Sequence, residues 1–314
     1  MKYVFGIDVG GTSIKIGLLD QQGSLVDSFS IPTNLKDQGS HILKEVAQAI
    51  HAFNDQKGLK DSDILGYGFG LPGPVVDNTA IQCVNLGWKN VNVEKEFQYA
   101  LGKKVLVKAG NDATVAAAGE YWKQNIEGDI IFITLGTGVG GGIIANGKVI
   151  DGAHGAGGEI GHIRAEFNEP QACTCGLEGC LETETSIRSI NARARKLMKL
   201  NTYKTTIVDD ENLSPKRIFN AAKMGDELGL AVADKVGEYL GLTCSMLAAT
   251  VDPKAILIGG GISNAGQVLI DAIKKHYRKY AFSAIKDMQF ELAKLGNDAG
   301  MYGAGYLIIA GLQA

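Results

Sequence analysis

The sequence predicts a duplicated α/β architecture built as two domains, and three observations carry that expectation. Two stretches share one plan, a β-meander followed by helices and further strands, with Phe5 and Phe132 in matching places 127 residues apart. Each meander holds a glycine-rich turn, Gly10-Gly11-Thr12 in the first and Gly136-Thr137-Gly138 in the second. The length of 314 residues suits two domains of about 100–200 residues each.

The first meander is expected as strands over residues 3–9, 14–20 and 24–31. Ile42, Val46, Ile50 and Phe53 then fall at helical spacing. A strand near 64–70, a Leu71-Pro72-Gly73-Pro74 turn and a strand at 104–108 follow, and Asp112 is placed to cap an alanine-rich helix over 113–122. The second meander reads as strands at 129–135, 139–145 and 148–150, with an Asn146-Gly147 hairpin turn. Beyond it, Ser214-Pro215 opens a helix and Asp226 begins a long one to about Thr250. Residues 255–258 form a buried strand ending in Gly259-Gly260-Gly261, Asn264 caps the next helix, and the apolar tail from Asp298 to Leu312 is helical. Domains are expected at 1–118 and 119–297, with the C-terminal helix 298–314 packing back on the first.

Composition excludes several functional classes. With 31 basic and 34 acidic residues the formal charge is −3, which removes the electrostatic case for nucleic acid or an anionic membrane surface. The longest apolar run, 130–145, is broken by five glycines and two threonines, so it reads as strands and turns and not as a membrane span. No secretory signal is apparent, and a cytoplasmic protein is expected. Glycine is in excess, 42 residues or about 13% against a typical ~7%, without a three-residue period; tight turns and close backbone approaches are expected to absorb it.

Several motifs carry chemistry. In Asp8-Val9-Gly10-Gly11-Thr12-Ser13-Ile14-Lys15, paired glycines let backbone N–H groups approach phosphate oxygens, Thr12 adds a hydroxyl, and Asp8 offers a carboxylate for hydrated Mg²⁺. Lys15 closes the motif and is grouped with the nucleotide-contacting residues. The plain alternative is a hairpin turn. Gly136-Thr137-Gly138 repeats the device, and neither segment is a P-loop or a Rossmann fingerprint. Gly260 and Gly261 would let a third backbone segment lie against a base or ribose. Together these segments point to ATP, clamped at its triphosphate by the two turns.

Asp112, at a strand-to-helix junction, can accept a proton from a substrate hydroxyl that Asn111 orients. The alternative is that Asp112 only caps its helix. His162 with Cys173, Cys175 and Cys180 makes a complete four-ligand set for a structural zinc, and a Cys173–Cys180 disulfide is the alternative. Cys83 and Cys244 read as small core residues. One nitrogen of His162 can take zinc while the other remains to donate a hydrogen bond, and loss of the knot is expected to spare ATP binding.

At this point the residues carry a resemblance. The glycine hairpin from Leu135, Gly158-Glu159-Ile160-Gly161-His162 and Cys173-Thr174-Cys175-Gly176-Leu177-Glu178-Gly179-Cys180-Leu181-Glu182 resemble, in order and spacing, the signature of the ROK family of sugar kinases, and most closely its bacterial ATP-dependent glucokinases. The resemblance implies an actin-like, ribonuclease-H-type fold in which two domains enclose a cleft. It implies ATP-dependent phosphorylation of a hexose 6-hydroxyl, first of all glucose, by a cytoplasmic enzyme expected as a homodimer. It makes Asp112 the base, and Asn111, Glu159, His162 and Glu182 binders of sugar hydroxyls, with Gly73 and Asn85 as further parts of the sugar site. Thr114 departs from the family's Asn-Asp-Ala-Asn, and Ala109-Gly110 before it is also unusual.

Rival readings are a kinase for N-acetylmannosamine, N-acetylglucosamine, allose, fructose or a β-glucoside, and a non-catalytic sugar sensor. Repressors of the family carry a helix-turn-helix ahead of the first meander, which here starts at residue 3, so a DNA-binding regulator is not expected.

Overall fold

The structure, a computed structural model, describes residues 1–313; residue 314, the last of the expected C-terminal helix, lies outside the described residues. In chain order the main elements are β1 (Tyr3–Val9), β2 (Ser13–Asp20), β3 (Leu25–Pro32), α1 (Ile42–Lys57), β4 (Ile64–Leu71), β5 (Val75–Val76), β6 (Thr79–Cys83), β7 (Trp88–Asn92), α2 (Val93–Leu101), β8 (Val107–Asn111) and α3 (Asp112–Gln124). They continue with β9 (Ile130–Leu135), β10 (Val139–Ala145), β11 (Lys148–Val149), α4 (Leu181–Thr185), α5 (Ile187–Leu200), α6 (Pro215–Lys223), α7 (Glu227–Val251), β12 (Ala255–Gly259), α8 (Gln267–Tyr280), β13 (Gln289–Leu292) and α9 (Ala299–Gln313).

The duplication is visible in the strand orders. One five-stranded sheet runs β3-β2-β1-β4-β8 and the other β11-β10-β9-β12-β13: a meander, then two strands added beside its first strand. The added strands are parallel in both sheets, β1 to β4 to β8 and β9 to β12 to β13. Phe5 and Phe132 are each the third residue of the leading strand, and both are buried.

Two compact units form. The first holds Met1–Ile126, Gly142–Gly158 and the chain from Asn297 onward; the second holds Glu127–Gly141 and Glu159–Gly296. The expected division at residue 118, with 142–158 in the second domain, differs for a local reason. Helix α3 runs on to Gln124, and β10 passes into the first unit at Gly142, where Ala117 and the backbone of Thr114 leave no room for a side chain.

In the first unit, Phe5, Ile7, Ile16, Ile42, Val46, Ile50, Phe69 and Phe97 form the core between the sheet and helices α1 and α2. Helix α9 packs on β1, β4 and α3. It comes so close that a side chain at Gly6 would strike the backbone of Met301 and one at Gly68 that of Ala304, which uses part of the glycine excess. In the second unit α7 packs on α8 and on α6. Asp226 caps α7 through the amide of Gly229.

Three local expectations shift. The strand placed at 104–108 lies at Val107–Asn111. The residue that caps α3 is Asn111 and not Asp112. Asn264 does not cap α8: it sits in a short 3₁₀ turn with its amide bonded to the Gly261 carbonyl, and Gly266 precedes the helix. The small sheet β5-β6-β7 was not expected, because its two- to five-residue strands leave too little periodicity to read; helix α2 was not expected either, although Val93, Phe97 and Leu101 stand at helical spacing behind the Asn92 cap. No helix among the described residues is long and apolar enough to cross a membrane.

Candidate active site and metal centre

In the first unit the turn after β1 is pinned from behind. Thr33 donates from its hydroxyl to the Gly10 carbonyl at 2.6 Å and from its amide to the Thr12 carbonyl at 3.0 Å. Gly10 is needed by the turn itself, since a Cβ there would meet the Ser13 carbonyl. Gly11 is different: its Cβ would touch only Asn85, at 3.8 Å. Neither backbone conformation nor protein packing demands glycine there.

Asp8 pairs across the hairpin with Lys15. Lys15 does not extend from the motif: its ammonium donates to the Asn297 carbonyl at 2.6 Å and pairs with Asp298 at 3.3 Å. Burial, followed by the negative charge of Asp112, pushes the Asp8 carboxyl up to about 6, against the pull of Lys15 and with a further push from Asp298. Asp8 and its two acidic neighbours are hard oxygen donors of the kind Mg²⁺ takes.

The end of β8 is built around Asn111. Its side-chain oxygen accepts from the amides of Ala113 at 3.0 Å and Thr114 at 3.4 Å, and its amide nitrogen donates to the Gly73 carbonyl at 3.2 Å. Thr114, at the position that departs from the family pattern, is buried and donates its hydroxyl to the Asn111 carbonyl at 2.9 Å. Gly110 and its register partner Gly70 make room for Val115. Gly73 itself is packed against Gln82 and Cys83, where a Cβ would not fit. Asp112 follows the cap as the first residue of α3, exposed, with one carboxylate oxygen accepting from the Ala113 amide at 2.7 Å. The reading of Asp112 as the helix cap is therefore corrected. Asn85 is exposed in a short 3₁₀ turn, Val84–Leu86.

In the second unit, Glu159 precedes a short 3₁₀ turn, Ile160–His162. Nδ1 of His162 lies 3.7 Å from Cys173 Sγ, and its Nε2 lies on the other side, 3.8 Å from a Glu159 carboxylate oxygen. Cys175 and Cys180 approach to 3.7 Å, and the four ligand atoms all lie within 4.8 Å of one another. A tetrahedral zinc with Zn–S near 2.3 Å and Zn–N near 2.0 Å needs ligand separations of about 3.5–3.8 Å, which the two 3.7 Å approaches match. All five cysteines are free thiols, so the disulfide alternative is not adopted. Cys83 and Cys244 are buried in the two cores as expected.

Cys180 is the residue before α4, which carries Glu182. A Glu182 oxygen accepts from the Val139 amide at 2.9 Å, and a Cβ at Gly138 would sit 2.5 Å from that same oxygen. A protein carboxylate therefore lies beside Gly138. Gly136 and Gly261 have no atom within 4 Å of a Cβ position. Gly260 is held by its positive φ of 78° and by the backbone of Leu135.

Residues 4–310 match the ROK family. The chain belongs to the ROK family. A glucokinase of Halalkalibacterium halodurans is 38% identical over 98% of this chain and 95% of its own length. A ROK family glucokinase from Streptomyces griseus, solved with glucose and AMPPNP, is 30% identical with a TM-score of 0.72, covering 97% of this chain and 98% of that one. The ROK hexokinase from Thermus thermophilus is 26% identical with a TM-score of 0.80 over 99% of both chains. ROK relatives with other roles also match, including an N-acetyl-D-glucosamine kinase of Vibrio vulnificus at 29% and a xylose repressor of Caldicellulosiruptor bescii at 27%. With the two matching strand orders, these likenesses establish the actin-like ATPase fold of ROK sugar kinases for this chain.

Two long-range features of this ROK protein leave no local mark in the sequence. Thr33 and Asp298 are far along the chain from the turn they serve, and no local pattern marks them. The Glu182–Val139 bond spans 43 residues.

Proposed function

We propose that this ROK protein is a glucose kinase, transferring the γ-phosphoryl group of ATP to the 6-hydroxyl and releasing glucose 6-phosphate and ADP. The glucokinase relatives support ATP-dependent hexose phosphorylation, and glucose is the sugar that the 38% identical relative is named for. The observation that carries the chemistry is the end of β8, where Asn111 takes the capping role and leaves Asp112 exposed one residue on.

In this reading Asp112 accepts the proton of the 6-hydroxyl as that oxygen attacks the γ-phosphorus in line with the leaving ADP oxygen. Such general-base help is typically worth 10²–10⁴-fold, and positioning and charge stabilisation supply the rest. Asn111, fixed to Gly73, holds the junction beneath Asp112. Glu159, His162 and Glu182 bind sugar hydroxyls, with Gly73 and Asn85 as additional sugar-site positions. Gly11, Gly136 and Gly261 leave the side where a Cβ would stand clear for the nucleotide, with Thr12 and Thr137 beside them; Gly10, Gly138 and Gly260 hold the turns that present it, and Lys15 steadies the hairpin through Asp298. Asp8 would hold hydrated Mg²⁺, which neutralises phosphate charge when bound. His162, Cys173, Cys175 and Cys180 would hold zinc, a closed four-ligand centre that supplies structure and no open coordination position. The cytoplasmic location and homodimeric assembly implied by the resemblance belong to the same proposal.

The test is ADP release across a panel of hexoses, with the product's phosphate position read by ³¹P NMR. Glucose is expected to give the highest kcat/KM and a 6-phosphate. Preference for N-acetylglucosamine or N-acetylmannosamine would overturn the assignment to glucose, and no ADP release with any sugar would overturn the kinase.

A further inference from the structure

Val139 is the point where three segments of the second unit meet. Its amide donates to Glu182 at 2.9 Å, and a Cβ at Gly161, one residue before His162, would strike its carbonyl. At the other end of the same turn, the Gly136 carbonyl accepts from the Ile187 amide at 2.9 Å, where α4 gives way to α5. The Gly136–Val139 turn is therefore gripped at both ends by the short segment that carries Glu182. Hydrogen bonds from an amide to an ionised carboxylate are shorter and stronger than those between neutral groups. A carboxylate offers about four lone-pair positions, so Glu182 can hold Val139 and still accept from a ligand hydroxyl.

We propose that Glu182 is a positioning residue for the nucleotide turn as well as a sugar ligand, so that hexose and nucleotide affinities are thermodynamically coupled through the Glu182–Val139 bond. The proposal rests on the roles assigned above to Glu182 and to the turn. A hexose that fixes the Glu182 carboxylate fixes the Val139 amide, and with it the Gly136–Val139 turn. By linkage the effect is reciprocal: a nucleotide that orders the turn raises hexose affinity by the same factor. The zinc-ligating Cys180, one residue before α4, sets this clasp too. This departs from the expectation that losing the knot spares ATP binding.

Gly138→Ala is a clean probe. No positive φ is required there, and the only atoms a Cβ would approach within 4 Å belong to Glu182. Binding is measured by calorimetry with glucose alone, with Mg·ADP alone, and with each in the presence of the other. In the wild type, each ligand is expected to tighten the other by about fivefold or more. Gly138→Ala should weaken glucose binding measured without any nucleotide, although the substitution lies in the nucleotide turn. In a Glu182→Ala background the same change should have no further effect on glucose. If Gly138→Ala does not fold, Glu182→Ala carries the test from the other side and should weaken Mg·ADP binding measured without sugar; unchanged binding there overturns the clasp. Wild-type protein that binds neither ligand overturns the functional reading and this proposal with it. Wild-type protein that binds both, with glucose affinity unchanged in folded Gly138→Ala, overturns the clasp alone.

Discussion

The Asn111 side chain caps the helix that Asp112 begins, its oxygen accepting from the amides two and three residues on. The two residue types cap helices about equally well, so which of them does so is decided by where β8 ends. Because the strand runs through Asn111, the cap falls there and Asp112 becomes the first helical residue. Stability and chemistry are thereby divided between neighbours.

The glycines divide in the same way. Gly136→Ala introduces a methyl where no protein atom lies within 4 Å and no positive φ is required, so the melting temperature should hardly change. Nucleotide affinity, measured by calorimetry, should fall. Gly260→Ala should behave oppositely and lower the melting temperature, because the alanine must adopt φ near 78° against the Leu135 backbone.

The raised Asp8 carboxyl makes stability depend on pH. Folding moves it from an ordinary 3.8 to about 6, so the folded chain holds this proton more tightly than the unfolded one. Its contribution is present below about pH 4 and is lost as pH rises through 6. Asp8→Asn should therefore be more stable than the wild type by about 1–3 kcal/mol at pH 8 and no more stable at pH 4. Denaturant titrations at the two pH values read this directly.

A third expectation concerns the metal. Elemental analysis should find about one zinc per chain, and Cys175→Ser, at the exposed corner of the set, should lose it. Glucose affinity should fall about tenfold or more with the metal, since Glu159 stands three residues before His162 and Glu182 two after Cys180. A metal-free variant that binds glucose normally would show that the knot only staples a loop.

Behind the knot, Glu184 is almost fully buried and pairs with Arg193 at 2.6 Å. Arg193→Ala leaves that carboxylate without its partner and should cost about 3–5 kcal/mol in urea denaturation. Replacing both, Arg193→Met with Glu184→Leu, should recover most of the loss, because an apolar pair carries no desolvation penalty.

Much of the fold was legible because its signals are local. Both meanders, the Asn146-Gly147 turn and the Cys/His set declare themselves within a few residues. The β8 strand was read three residues early because Val105 and Leu106 continue its apolar pattern ahead of the first paired residue, Val107. What the candidate site adds is long-range. Asp298 comes to Lys15 across 283 positions, and Glu182 to Val139 across 43. Nor does a glycine in a sequence say what it makes room for: Gly136 and Gly138 look alike there, yet one faces open space and the other a carboxylate.

The most direct measurement is the steady-state kinetics of Asp112→Asn with ATP and glucose, alongside glucose affinity and thermal stability. The asparagine keeps the shape of the side chain, and the cap belongs to Asn111, so folding should be preserved. The expected result is a fall in kcat of about 10²-fold or more with glucose affinity changed far less. Turnover near that of the wild type, in a folded variant, would contradict the assignment of Asp112 as the base.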